Sequence, residues 1–103
     1  MAAVSWTVGG REDLRSVSRN LLRLGGGDGF RKELRSTLSR LEYFPLSGRI
    51  VPEYSLDSLR EAIVGRYRLI YHVVNDEVRI DALISGRRDL VRHLGTDMEF
   101  LNA

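Results

Sequence analysis

The chain has no cysteine, only two prolines and a single lysine among its 103 residues. Without cysteine, neither a disulfide framework nor a thiolate metal site can form. No run of about 18 apolar residues is present, so the sequence predicts no membrane-spanning helix. The first residues carry no apolar signal-peptide core, which favours a cytoplasmic location. Nothing in the composition indicates a cofactor or a metal, and we expect neither.

What the chain has in abundance is arginine. All but one of its 16 lysine and arginine residues are arginine, although the net charge is only +2. Guanidinium groups suit bidentate contacts to phosphate or carboxylate, but a base-composition bias of the genome explains the excess equally well. The length predicts a single domain, residues 1–103, with one modest core. The positions of the arginines must therefore decide what they do.

The N-terminal half predicts one strand and two helices. Residues 3–8 alternate apolar and polar side chains, as in a half-buried strand that includes Val8. Apolar residues recur at helical spacing over residues 11–24, with Asp13 in the first turn, where it complements the helix dipole. A second helix, with Asp28 as its N-cap, runs to about residue 43. The glycine-rich linker between them makes an αα-hairpin.

The C-terminal half predicts an antiparallel meander. An irregular segment over residues 44–58 precedes strand-like runs at residues 59–64, 66–74 and 77–84. Their short connections force antiparallel neighbours. A short helix follows around Leu90. The order predicts an α+β fold: an N-terminal strand, a helical hairpin that covers one face of a three-strand meander, and a short C-terminal helix.

Side-chain alternation in the central strand predicts one apolar and one cationic face. Tyr67, Leu69 and Tyr71 would pack under the helices, and the opposite face would carry Arg66, Arg68, Ile70, His72 and Val74. Arg66 and Arg68 would then lie ~7 Å apart on that face. Such a mixed cationic and apolar surface suits an acidic, amphipathic partner.

More arginines extend the predicted cluster. Arg60 lies on the preceding strand, and Arg87 and Arg88 follow the last one. The alternative is an ion-paired sheet face on which carboxylates balance the arginines, with three candidates: Glu61, Asp81 and Asp89. A further stripe of arginines on the first helix is either part of a binding surface or an ordinary solvated helix face: Arg15, Arg19 and Arg23.

A catalytic site is harder to find in the sequence. Metal-independent RNA cleavage needs an acid and a base beside the cations. His72 would lie ~13 Å from Arg68, which is too far for one phosphate. His93 lies beyond the last strand and would have to fold back. The residues therefore favour a docking surface over a reaction centre.

Four segments carry a resemblance to a known family. They are VSWTV at the N-terminus, FPLSGRIVPE after the helical hairpin, LREAIVGRYRLIYHV across two meander strands and VRIDALISGRRDL at the end. In order and spacing they resemble the RelE/ParE superfamily of bacterial type II toxins over nearly the whole chain. The resemblance implies a fold like that of microbial ribonucleases. It also implies an antitoxin whose acidic, amphipathic C-terminal segment wraps the toxin.

The superfamily divides by target. RelE-like members cut messenger RNA on the ribosome, and ParE-like members inhibit DNA gyrase and growth without hydrolytic chemistry. Arg68 and Arg88 match basic positions of the superfamily, and His93 lies near its C-terminal aromatic position. These three are the catalytic candidates if the chain is a ribonuclease.

Other positions depart from the RelE-like pattern. The lysine positions of the first meander strand fall on Leu59 and Glu61 or, with a one-residue shift, on Arg60 and Ala62, and Ser85 stands where many relatives carry histidine. We therefore expect a ParE-like, non-enzymatic gyrase inhibitor. The alternatives are a ribosome-dependent messenger RNA endoribonuclease and an inactive homologue that only binds the antitoxin.

Overall fold

One mixed sheet with helices packed against it forms the protein. The computed structural model describes residues 1–102. In that range the strands are β1 (Ala3–Trp6), β2 (Arg49–Ile50), β3 (Leu59–Val64), β4 (Tyr67–Val74) and β5 (Glu77–Ser85). The helices are α1 (Val8–Arg23), α2 (Asp28–Tyr43) and α3 (Leu90–Leu94), followed by a 3₁₀ turn, Glu99–Asn102. None of these helices is long and apolar enough to cross a membrane.

The sheet order confirms the predicted fold class. The strands run β1-β5-β4-β3-β2, with β1 parallel to β5 and the other neighbours antiparallel. The meander of β3, β4 and β5 forms the centre, and the helical hairpin connects β1 to it, as expected. The two-residue strand β2 and the final 3₁₀ turn were not predicted, because neither is long enough to show a periodic pattern.

The start of α1 differs from the prediction. Thr7 is the N-cap, and its Oγ1 accepts a hydrogen bond from the backbone N–H of Gly10 at 3.1 Å. The strand therefore ends at Trp6, and Val8, predicted to be half-buried, is 71% exposed. Asp13 consequently lies beyond the first turn of α1, so its predicted dipole role is wrong. Its carboxylate instead accepts from the backbone N–H of Leu83 on β5 at 3.0 Å.

The N-terminus of α1 lies directly on β5. The hydroxyl and the backbone N–H of Thr7 both donate to the carbonyl of Ile80 at 3.0 Å. A Cβ added to Gly10 would collide with that same carbonyl. Glycine is needed here because of this close backbone approach, which determines where α1 lies on the sheet.

Two further predicted boundaries are wrong. Gly27, with φ 128°, is the N-cap of α2, and Asp28 lies inside the first helical turn. The positive φ takes the chain out of the linker in a conformation that glycine adopts readily. At the other boundary, Gly65 with φ 62° and Arg66 form the turn between β3 and β4, so that β4 begins at Tyr67. Arg66 is therefore a turn residue and is exposed.

Each face of the sheet carries its own core. On the helical side, Leu41, Leu69 and Tyr71 are fully buried, which confirms the predicted parity of β4. On the other side, Ile70 and Ile84 pack with Leu90 of α3 and with apolar residues of the segment before β3 and of the C-terminal turn. The prediction of an open face that presents Ile70 is wrong, because these segments cover it and leave Ile70 0% exposed.

Candidate functional site

Arg68 lies inside an ion-pair network and not on an open surface. Its side chain is only 10% exposed. Nε donates to Oε2 of Glu61 at 2.7 Å, and Nη2 donates to Oε1 of the same carboxylate at 3.0 Å. Nη1 and Nη2 also donate to the two oxygens of Glu53, at 2.7 and 2.9 Å. Every nitrogen of this guanidinium is thus engaged by a carboxylate.

The network continues to the edge of the sheet. Nε of Arg49, on β2, donates to Oε1 of Glu61 at 2.9 Å, so that positive and negative groups alternate. The hydrogen bond from Arg68 holds the pKa of Glu53 below its ordinary value. The hydrogen bonds to Glu53 and Glu61 raise the pKa of Arg68. For Arg68 the ion-paired alternative therefore holds. Glu53 was not predicted as its partner, because a carboxylate in an irregular segment shows no periodic relation to a strand.

Arg60 does not converge with Arg68. It is paired with Tyr71 in the β3–β4 register, whereas Glu61 is paired with Ile70. Residues directly opposite in an antiparallel pair share a face, so Arg60 lies on the helical side of the sheet and Arg68 on the other. The guanidinium of Arg60 donates to three backbone carbonyls at 2.7 to 3.1 Å: Asp57, Leu46 and Gly48. The predicted grouping of Arg60 with Arg68 is wrong.

A smaller arginine cluster does form at one end of the sheet. The backbone N–H of Gly86 donates to the carbonyl of Arg66 at 3.1 Å, which joins the β3–β4 turn to the chain leaving β5. Arg66, Arg87 and Arg88 are exposed here, and their guanidiniums have no side-chain or backbone partner within residues 1–102. Val74 lies at the far end of β4 and is 39% exposed. The residues that were predicted to form one binding surface therefore do not lie together in the structure.

A cationic cleft adjoins this arginine cluster. It encloses about 540 Å³ between α1 and the end of β5. Arg19 and Arg23 line its α1 wall, and Arg88 lines the opposite wall. The remaining lining side chains are polar or apolar groups of α1 and the sheet: Asp13, Ser16, Val17, Asn20, Tyr67, Leu83 and Ile84. The spacing of four residues between Arg19 and Arg23 indicated in the sequence that they share one face of α1. No such spacing relates them to Arg88, so the sequence did not reveal the opposite wall of the cleft.

His93 folds back, but not toward Arg68. Its Nε2 lies 2.8 Å from Oδ2 of Asp13, which ties α3 to α1. His93 and Arg88 border a second cavity of about 440 Å³. Arg68 lines a third one, together with Glu53 and Glu61. Of the three catalytic candidates, the structure therefore brings together Arg88 and His93 and leaves Arg68 with its carboxylates.

The other predicted counter-charges have different partners. Asp81 lies at a bulge in β5, and its Oδ2 is 2.6 Å from Nδ1 of His72, with both residues buried. Burial raises the pKa of Asp81 and outweighs the opposing effect of His72. Asp89 is the N-cap of α3 and accepts from the backbone N–H of Arg92 at 3.2 Å. Neither carboxylate balances an arginine of the predicted cluster.

An apolar groove lies at the C-terminus of α2, apart from the arginine cluster. It encloses about 580 Å³. Tyr43, Phe44 and Leu46 line it and are 64%, 66% and 53% exposed. Val73 on β4 completes the apolar lining. Exposed apolar side chains that cluster in one groove make it a candidate interaction surface.

Comparison with known proteins identifies the family. The family model of the ParE toxin of type II toxin–antitoxin system, parDE, matches residues 4–90. The chain belongs to the ParE toxin family. The expected ParE-like type II toxin is confirmed. No curated protein matches the sequence at a significant level.

Solved structures support the ParE-type fold. A chain described as the chromosomal ParDE TA system from P. aeruginosa has a TM-score of 0.63 and 17% identity, covering 82% of this chain and 96% of that chain. A copper-bound mutant toxin from Helicobacter pylori also has a TM-score of 0.63, with 20% identity and coverage of 84% and 96%. At these identities the likeness shows the fold alone. In the described part of this chain, no group of three or more His, Asp or Glu side chains converges.

Proposed function

We propose that this ParE-family toxin inhibits DNA gyrase by binding, without cleaving RNA, and that a cognate antitoxin neutralises it. The observation that carries the proposal is the pairing of Arg68 with Glu53 and Glu61. A ribonuclease of the RelE-like kind that used Arg68 would need its guanidinium free to stabilise the charge that develops on the phosphate. Here its donors already bind two carboxylates.

Freeing Arg68 for catalysis is unfavourable. Glu61 is 2% exposed, and removing one partner of a buried ion pair leaves an uncompensated charge that costs about 3–5 kcal/mol. His93 does not join Arg68 either, because its Nε2 lies 2.8 Å from Oδ2 of Asp13 on α1. These contacts support a toxin that acts through its surface.

A ribosome-dependent endoribonuclease is the second candidate. Arg88 and His93 border the same cavity, so a cation and an imidazole do meet there. This ribonuclease would work without Arg68. It predicts codon-positioned cuts in messages, which disappear when Arg88 is changed to Gln.

Induced expression in growing cells separates the candidates. We expect growth arrest with induction of the DNA-damage response, while messages remain intact. Primer extension on abundant messages provides the second readout. Codon-positioned cleavage without a DNA-damage response would overturn the gyrase proposal. Normal growth in cells that contain the folded protein would indicate an inactive homologue that only binds the antitoxin.

The antitoxin is proposed to dock at the apolar groove. Its amphipathic segment would place apolar side chains against Tyr43, Phe44 and Leu46, which are otherwise exposed. Arg60 lies beside them, because its Nη1 donates to the carbonyl of Leu46 at 3.0 Å. A guanidinium at the rim of an apolar groove complements an acidic amphipathic segment.

The electrostatics around Tyr71 support a cationic rim. Burial raises the pKa of Tyr71, and the hydrogen bond with the backbone of Gly48 and the positive charges of Arg60 and Arg40 act against that shift. The backbone N–H of Phe44 donates to the carbonyl of Arg40, so Arg40 lies one helical turn from the groove. In this proposal Arg60 remains an antitoxin-binding residue, while the fully buried Ile70 does not contact the antitoxin.

A further inference from the structure

We infer that the cationic cleft between α1 and the end of β5 binds the backbone phosphates of a nucleic acid strand. The inference goes beyond the proposed inhibition of gyrase. It does not depend on that proposal, because residues of this chain alone form the cleft and a nucleic acid could bind there without gyrase. The site combines a cavity of about 540 Å³ with guanidiniums on both of its walls.

The spacing of the arginines suits a chain of phosphates. Arg19 and Arg23 lie one helical turn apart on α1, a rise of ~6 Å. Arg15 continues the same stripe one turn further. Arg88 faces them from the segment after β5. Two guanidiniums along one wall and one on the other can hold successive phosphates of an extended strand, since each planar fork binds a phosphate with two hydrogen bonds.

The charges in the cleft are not neutralised internally. Within residues 1–102, the guanidiniums of Arg19 and Arg88 have no hydrogen-bond or ion-pair partner. Arg23 donates only to the neutral side chain of Asn20, at 2.7 Å. Arg68 shows the contrasting case, in which two carboxylates bind the guanidinium. Unpaired cations that line a concave surface concentrate a positive potential there.

One carboxylate, that of Asp13, also lines the cleft, and one of its two oxygens, Oδ2, already has two partners. Oδ2 of Asp13 accepts from the backbone N–H of Leu83 at 3.0 Å and lies 2.8 Å from Nε2 of His93. Asp13 thus holds α1, β5 and α3 together. The neutral side chains of Ser16 and Asn20 add groups that can donate to phosphate oxygens.

A nucleic acid strand suits the cleft better than an acidic peptide does. An amphipathic antitoxin segment needs exposed apolar side chains to pack against, and the exposed aromatic residues lie in the separate groove at Tyr43 and Phe44. Arg88 of the cleft follows Arg87 directly, and the backbone hydrogen bond from Gly86 to Arg66 brings another exposed arginine to the same end of the sheet. Several guanidiniums at one site match the repeating charge of a phosphate backbone.

Fluorescence anisotropy with the purified full chain tests the inference. The probes are a fluorescein-labelled oligothymidine and an oligouridine of equal length, titrated between about 50 and 200 mM salt. We expect both to bind with affinity that falls as salt rises. The Arg19→Gln/Arg88→Gln variant should bind at least about tenfold more weakly. The logarithm of the binding constant falls linearly with the logarithm of the salt concentration, and the steepness of that line is the salt slope. It should decrease by about 1.4 in this variant, because each phosphate that a guanidinium neutralises on a single strand adds ~0.7 to it.

A matched control separates the cleft from net charge. Lys32→Gln/Arg35→Gln removes the same charge from exposed positions on α2 and should change the affinity by less than about twofold. Arg19→Lys/Arg88→Lys keeps the charge and should keep the salt slope. Thermal unfolding of all variants reports whether each is folded.

Three results would overturn the inference. One is unchanged binding by the Arg19→Gln/Arg88→Gln variant. Another is an equal loss in the α2 control, which would mean that only diffuse charge matters. The third is equally tight binding of a poly-glutamate peptide with the same dependence on Arg19 and Arg88, which would make the cleft a peptide site. A toxin that leaves gyrase active but binds the oligonucleotides through the cleft would refute the proposed function and support this inference.

Discussion

Arg68 on β4 and its diagonal neighbour Glu61 on β3 share two hydrogen bonds, at 2.7 Å from Nε to Oε2 and at 3.0 Å from Nη2 to Oε1. Both residues are buried, at 8% and 2% exposure. Because Arg68 also donates to both oxygens of Glu53, it holds the sheet and the segment that carries Glu53 together. Arg68, one of the two arginines that match basic positions of the superfamily, is therefore bound by carboxylates of its own chain.

Arg68→Ala should destabilise the fold strongly. It leaves Glu61 buried with only Arg49 beside it, and the free energy of unfolding should fall by about 3–5 kcal/mol. Urea denaturation monitored by circular dichroism measures this. Arg66→Ala, in the exposed turn two residues earlier, is the control and should change stability by less than about 0.5 kcal/mol. Equal stability of the two variants would show that the network contributes nothing.

Glu53→Gln should make stability less dependent on pH. Arg68 holds the pKa of Glu53 below its ordinary value of 4.5, so the folded state favours the ionised carboxylate. That stabilisation is fully present above the ordinary pKa and is lost as the pH falls through the lowered one. The stability difference between wild type and variant should therefore be largest at neutral pH and shrink in acid. A difference that grows in acid would contradict the assignment.

Gly10→Ala should disrupt the contact between α1 and β5. The added methyl group would meet the carbonyl of Ile80, and the overpacking should lower the free energy of unfolding by about 1–3 kcal/mol. Gly29→Ala in α2 is the matched control, because a Cβ there has nothing within 4 Å. The higher helix propensity of alanine should leave that variant as stable as wild type, or more stable by up to about 1 kcal/mol. Thermal unfolding compares the two, and equal losses would refute the contact.

Leu46→Glu should weaken antitoxin binding. The change puts a charge into the apolar groove that is proposed to hold an amphipathic segment, and affinity should fall by about 10- to 100-fold, or roughly 1–3 kcal/mol. Calorimetric titration with the product of the neighbouring antitoxin reading frame measures it. Leu24→Glu is the control, because Leu24 is 73% exposed and lies at the end of α1, away from the groove. If the Leu46→Glu variant bound the antitoxin as tightly as wild type, the groove would not be the antitoxin site.

Much of the fold was predictable because its periodic segments are long. The apolar repeats of α1 and α2 and the alternation in β4 led directly to a helical hairpin on one face of a meander. The errors fall where a single contact decides a boundary. Thr7 caps α1 through its hydroxyl, and Gly27 rather than Asp28 begins α2. Such caps depend on the path of the adjoining chain, which a local pattern does not contain.

The site was predicted less well for a related reason. Alternation correctly separated Arg68 from Leu69, but it could not reveal that α3 and the C-terminal turn cover the face with Ile70. It also could not place Glu53, in an irregular segment, beside Arg68. The cationic cleft joins α1 to the segment after β5, so only the three-dimensional fold brings Arg19 and Arg88 together.

The most direct test combines purified toxin with DNA gyrase on relaxed plasmid and, in parallel, with translating ribosomes on a defined message. We predict that the toxin blocks supercoiling or traps cleaved plasmid, that adding the antitoxin reverses the effect, and that the message stays intact. Normal supercoiling together with codon-positioned cleavage of the message would contradict the account.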